Sequence, residues 1–196
     1  MKRLFLLLTL SLFILSCNKA KEEKTQGKKD SEKEIVYSEN IQDTFFGVKF
    51  GASKEEVIKA FEKEGLYLNK HISNKNGLYF SPYGGYIPFG GFYWDYVDAS
   101  FSNGKFYYIL FQYTPEHKET ALSQFESVLS ALSSRYKMNE VPIEDTNTYK
   151  KYKAGSKDRK GMIVQCFKAE SVEGEMRYYV NLEYIDLTLD KSNDEL

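Results

Sequence analysis

The chain predicts an α+β fold: one antiparallel sheet with helices packed on one of its faces. Three observations carry that prediction. Two segments, 53–65 and 114–136, repeat apolar residues at three and four positions between recognisable stops. Each is followed by a pair of apolar runs about a turn, 91–113 around Asn103-Gly104 and 161–189 around Gly174. In the last run Met176, Tyr178, Val180, Leu182 and Tyr184 share one face while Arg177, Asn181 and Glu183 take the other. That is a strand with one buried and one wet side. Helix then hairpin, twice over, is the pattern of two α–β–β units in one sheet.

The 196 residues with 42% hydrophobic content suffice for one core-bearing domain. The apolar residues crowd into the first sixteen positions and again beyond Phe45. Lys2 and Arg3 precede an apolar run, Leu4–Leu15, that is shorter than the roughly 20 residues a spanning helix needs. It reads as an export signal, residues 1–16. At its end Ile14-Leu15-Ser16-Cys17 resembles a bacterial lipobox, with an aliphatic residue three places before the cysteine and a small one just before it. The resemblance implies a diacylglycerol on the Cys17 thiol, cleavage between Ser16 and Cys17, and a membrane partner reached through acyl chains. Two or three such chains hold stably, where one holds only marginally.

Residues 17–43 read as a flexible linker. From Asn18 to Asn40 there are six lysines and six acidic residues and almost nothing apolar, too little burial to offset ordering entropy. Residues 44–190 form the single folded domain, and 191–196 a frayed tail. Loss of Lys2 and Arg3 leaves 25 basic against 28 acidic side chains, a net charge of -3. A mildly acidic protein is a poor nucleic-acid binder.

Within the domain, Phe45–Phe50 reads as a short strand or extended lead-in. Ser53 fits an N-cap with Glu56 at the capping-box spacing, Val57, Ile58 and Phe61 form the apolar face, and Gly65 stops the helix. Thr114-Pro115 reads as the N-cap and first residue of a second helix of about 21 residues. Its stripe is Ala121, Leu122, Phe125, Val128, Leu129, Leu132 and Tyr136. Gly91–Phe101 and Lys105–Tyr113 are the strands about Asn103-Gly104, and 154–161, AGSKDRKG, is a hairpin-like connector. The lead-in Phe45–Val57, F-x-G-V-x-F-G-x-S-K-E-E-V, resembles that of envelope lipoproteins of the BamE/SmpA type and of proteins with the β-lactamase-inhibitor-protein fold. Both groups follow such a helix with antiparallel strands and bind other proteins.

The sequence holds little that points to catalysis. His71 and His117 stand apart from each other and from cysteine, so no metal-ligand spacing exists. Cys166, mid-strand beside Phe167, reads as a packed thiol with no disulfide. Asp95 with Asp98, and Glu183 with Asp186, lie three apart and so on opposite sheet faces. No cofactor or metal is called for, and the chain reads as a non-enzyme.

The unusual feature is GLYFSPYGGYIPFGGFYWDYVDASF, residues 77–101. Its Gly-Gly pairs and prolines make the first half a loop, and alternation then sets Phe92, Trp94 and Tyr96 opposite Tyr93 and Val97. The next strand likewise sets Phe106, Tyr108 and Leu110 opposite Tyr107, Ile109 and Phe111. These aromatics are either core under the 66–90 segment or a binding surface, with Tyr83, Tyr86, Tyr93, Trp94 and Tyr96 the candidates. The functional expectation is a lipid-anchored envelope lipoprotein, at the periplasmic or surface side of an outer membrane, whose domain binds an envelope protein. The alternative is a surface-displayed binder of glycans or small ligands, stacking them on Tyr93, Trp94 and Tyr96.

Overall fold

The computed structural model describes residues 37–171 and 173–190. The signal, Ser16, Cys17, the linker through residue 36 and the tail 191–196 lie outside the described residues. The elements run β1 (Thr44–Phe45), β2 (Val48–Lys49), α1 (Lys54–Lys63), β3 (Leu66–Leu68), β4 (Gly77–Pro82), β5 (Ile87–Phe89), β6 (Phe92–Trp94), β7 (Tyr96–Ser102) and β8 (Lys105–Tyr113). Then follow α2 (Lys118–Ser133), β9 (Asn139–Glu140), β10 (Thr148–Gly155), β11 (Lys160–Glu170) and β12 (Met176–Asp186). Eight strands make one antiparallel sheet in the order β3-β4-β7-β8-β12-β11-β10-β9, while β1–β2 and β5–β6 are separate small hairpins. The α+β class holds.

Helix α1 forms where the sequence predicts. The Ser53 hydroxyl accepts from the Glu56 N–H, and the Glu56 carboxylate accepts the Ser53 N–H at 2.8 Å. Val57 and Phe61 are buried on its inner face. Helix α2 starts later than expected. The Thr114 N–H donates to Asp95 Oδ2 at 2.6 Å, tying Thr114-Pro115 to the start of β7 instead of capping the helix. His117 takes the N-cap position without a side-chain cap bond, and the helix spans 16 residues. Ala121, Phe125, Val128 and Leu132 are buried as expected.

Which face each helix covers follows from register. Leu68, Phe80, Val97, Phe111, Leu182, Val164 and Tyr152 are successive cross-strand partners, one row on one face. Phe61 of α1 meets Phe80 at 4.8 Å between ring centroids, and Phe125 of α2 meets Tyr152 at 6.2 Å. Two helices cannot cover this sheet. Eight strands spaced about 4.8 Å span roughly 34 Å, while two helices with their side chains cover about 20–24 Å.

The middle is filled by the two small hairpins. Phe89 of β5 stacks on Phe111 at 3.9 Å and 8°, and Phe45 of β1 sits 5.0 Å from Tyr184 and 5.9 Å from Phe89. The turn Gly90-Gly91, with φ of 65° and 84°, is what lets β5 and β6 fold back so tightly.

Four expectations are corrected. Gly91–Phe101 is not one strand: the Asp95 N–H bonds the Gln112 carbonyl at 2.8 Å, and the chain before it lifts away to pair β6 with β5. Gly77–Pro82, read as loop, is the interior strand β4. The register shifts where Ser100 faces Tyr108 but Phe101 faces Phe106. The extra residue, Tyr107, flips the alternation, so Phe106 joins Ile109 and Phe111 in the core. Finally, Ser38–Asp43, assigned to the linker by composition, belong to the folded body. Ser38 bridges Ser156, Ile41 is buried, and Asp43 accepts from the Lys160 ammonium at 2.8 Å.

Cys166 is a buried free thiol on the helix-covered face, and burial pushes it up to about 11. Phe61→Ala should cost about 3–5 kcal/mol of unfolding free energy and Ser53→Ala about 1 kcal/mol. Urea titration checks both; equal losses would contradict the assignment of Phe61 to the junction of α1 with Phe80.

Candidate binding face

Of the helix-free face, three cross-strand rungs can be followed. The first is Tyr96, Gln112, Asn181, Gln165 and Lys151; the second Tyr79, Asp98, Leu110, Glu183, Ile163 and Lys153; the third Gly77, Ser100, Tyr108, Ile185, Gly161 and Gly155. Most of these residues are half-buried, leaning on one another in the plane of the sheet. No described helix or small hairpin packs there: their ring contacts fall on the row of Phe80, Phe111 and Tyr152.

Hydrogen bonds knit the rungs. The Tyr96 hydroxyl donates to the Gln112 side-chain carbonyl, and Gln112 Nε2 donates to Asn181 Oδ1 at 2.8 Å. Gln165 Nε2 donates to Glu183 Oε1 at 2.7 Å, and the Tyr108 hydroxyl bonds the same carboxylate. Tyr79 hydrogen-bonds Asp98, whose Oδ1 is buried with no hydrogen-bond partner among the described residues.

These contacts set the acidities. Burial pushes the Asp98 carboxyl up to about 6, against the lowering effect of the Tyr79 hydroxyl. Burial also raises Glu183, with Tyr108, the Lys151 ammonium and Gln165 holding it back. The phenols of Tyr96 and Tyr108 rise above the usual range, chiefly through burial. The face therefore offers hydroxyl and amide donors beside two carboxyls that lose their charge more readily than exposed ones.

The five aromatic candidates separate. Tyr83, Tyr86 and Tyr93 are 78%, 55% and 64% exposed, outside the three rungs. Tyr86 and Tyr93 lie 6.3 Å apart by ring centroid, and Tyr83 lies 5.5 Å from Tyr67. Trp94 is corrected: it is fully buried, its ring 5.9 Å from Phe111 and its Nε1–H bonded to the Phe89 carbonyl at 3.1 Å. The break at Asp95 separates it from Tyr96, which alone of the five joins the rungs. Ser16 and Cys17 lie outside the described residues.

Asp98, Tyr108, Gln112, Gln165 and Asn181 were not foreseen as a group. The signal was there in 96/98/100 and 179/181/183, spaced by two, but a strand read straight through Asp95 sets Tyr96 beside the buried Trp94 and hides their common face. Glu183 and Asp186 do sit on opposite faces, Asp186 being buried and accepting from the Thr188 N–H at 2.9 Å. His71 and His117 are exposed. Among the described residues no group of three or more His, Cys, Asp or Glu could hold a metal ion.

No family model, curated protein or solved structure matches the chain. The resemblance at Phe45–Val57 therefore stands on its own residues.

The Asp98 shift gives a signed test. With a folded value of about 6 against about 3.9 unfolded, the folded state holds a proton the unfolded chain has released between those values. Stability from this group is complete below about pH 4 and lost as pH rises through about 6. Asp98→Asn should remove that slope and stabilise at pH 7 by on the order of 2–3 kcal/mol at most. Denaturant unfolding from pH 4 to 7 measures it, and an identical slope in wild type and variant would contradict the burial of this carboxyl.

Proposed function

We propose that the chain is a lipid-anchored envelope lipoprotein whose helix-free sheet face docks a protein partner. One observation carries the docking half: a hydrogen-bonded field of tyrosines, amides and two carboxyls, uncovered by any described helix or small hairpin. Tyrosines provide large contact area at low entropic cost, and side chains already bonded to one another lose little freedom when a partner arrives. A flat sheet face of this kind suits another protein better than a small molecule, which needs a concave site. The anchoring half rests on Ile14-Leu15-Ser16-Cys17 and the resemblance to a lipobox. The expectation of two α–β–β units in one sheet fits the same picture, with β7–β8 the hairpin before α2 and β11–β12 the hairpin after it. The two hairpins meet where β8 pairs with β12, which makes one broad face. The resemblance of Phe45–Val57 to BamE/SmpA-type and β-lactamase-inhibitor-protein-like domains points the same way, toward a non-catalytic binder.

The test is photocrosslinking in cells from Tyr108 and from Tyr179, which pairs with Phe167 two residues from the Gln165–Asn181 pair and so shares its face, with Lys59, exposed on α1, as control. The expected result is the same envelope protein captured from both sheet positions and not from Lys59. Capture from Lys59 alone would overturn the assignment. Mass spectrometry of the mature chain tests the anchor: it should begin at Cys17 and carry acyl chains, and a product retaining residues 1–16 with a bare thiol would refute it.

A second reading keeps the exposed tyrosines as a glycan platform. It is favoured by the two ring pairs, Tyr86–Tyr93 and Tyr67–Tyr83. A sugar whose binding is lost in Tyr93→Ala but retained in Tyr108→Phe would support it over the sheet face.

A further inference from the structure

The third rung ends differently from the others. Gly161 and Gly155 face each other in register on adjacent strands, so the helix-free face loses its side-chain layer there. A Cβ at Gly155 would meet only the Lys160 carbonyl oxygen, at 3.8 Å, with open space beyond. A Cβ at Gly161 would meet Ile185 Cγ2 at 3.3 Å, which marks Ile185 as a wall. The result is a groove of about 660 Å³ floored by the two glycines and lined further by Ile163, Tyr37 and Leu187. Sites for small molecules run from about 300 to 1,000 Å³. Tyr37 and Leu187 stand 46% and 41% exposed at this groove, apolar surface that nothing described covers.

The rim is cationic. Lys153, Lys157 and Arg159 are exposed lining residues, and none has an ion-pair partner among the described residues. The one acid of the 156–160 turn, Asp158, is already held by the Ser156 hydroxyl and by Lys160 at 3.0 Å. Apolar walls below three unneutralised cations call for a ligand with both properties. A neutral sugar would leave the walls wet, and an inorganic anion would use only the rim.

We propose that this groove binds a single-chain anionic amphiphile: an alkyl tail over Gly155 and Gly161, a carboxylate, sulfate or phosphate head among Lys153, Lys157 and Arg159. The site occupies the far end of the second and third rungs, on β10, β11 and β12, and does not rest on the partner reading. Each methylene that leaves water tightens binding roughly fourfold, so tail length and head charge both report on it.

The experiment is calorimetric titration of the full chain with dodecanoate below its micelle concentration, beside octanoate and dodecyltrimethylammonium. Dodecanoate should bind saturably at one site, with both others at least tenfold weaker. Gly155→Val fills the floor and should weaken dodecanoate more than tenfold. The double variant Lys157→Glu, Arg159→Glu, at exposed positions that leave the core intact, should do the same. Lys59→Ala, exposed on α1, should leave it unchanged. Alkyl chains can also meet the run Leu4–Leu15, which all variants leave untouched, so binding that survives both groove variants overturns the proposal. So does the absence of saturable binding, equal binding of the cationic amphiphile, or capture of an acidic peptide in place of dodecanoate.

Discussion

The structure depends on closing a sheet too wide for its helices. Eight strands need more cover than α1 and α2 supply, and the gap falls over Phe111 and Tyr184, where the two halves of the sheet join. Phe89 stacked on Phe111, with Phe45 wedged against Phe89 and Tyr184, fills that gap. Trp94, Phe46 and Phe106 extend the same cluster. Aromatic rings are the economical filler, since each removes a large area from water from a short, turn-bound segment. Without these two hairpins the central strands would present an apolar trough to solvent.

Spending all the cover on one side leaves the other bare, and the residues there match that condition. They are neither a second core nor an ordinary charged surface. Tyrosines, amides and carboxyls satisfy one another across the strands, and among the described residues only Asp98 Oδ1 is left buried without a partner. Such a face is stable in water yet keeps its donors and acceptors in fixed places. Its glycine end, ringed by lysine and arginine, differs in both polarity and depth. One sheet face thus offers two chemistries, a flat polar field and an apolar groove.

Much of this was legible in the sequence where local rules govern. Ser53 with Glu56, the stripe of α2, the Asn103-Gly104 turn and the even face of β12 each follow from neighbours a few residues away. What was hidden depends on distant partners. Thr114-Pro115 looks like a cap until Asp95, nineteen residues earlier, claims its N–H. Trp94 and Tyr96 look like neighbours on one face until Gln112 bonds the Asp95 backbone and breaks the strand between them. Residues 77–82 are punctuated like a loop, yet pairing with β7 makes them a strand. The open face was missed because the strand was read straight through Asp95, which set the buried Trp94 on the same side as Tyr96.

The central claim is that one face of the sheet is covered and the other is open to solvent. The most direct measurement is paramagnetic broadening of methyl NMR signals by a neutral, water-soluble gadolinium chelate. Leu110, Ile163 and Ile185, on the rungs, should broaden strongly, while Ile109, Val164 and Leu182, on the opposite face of the same strands, should stay sharp. Equal protection of both sets would mean that the supposedly open face is covered, and would contradict the account.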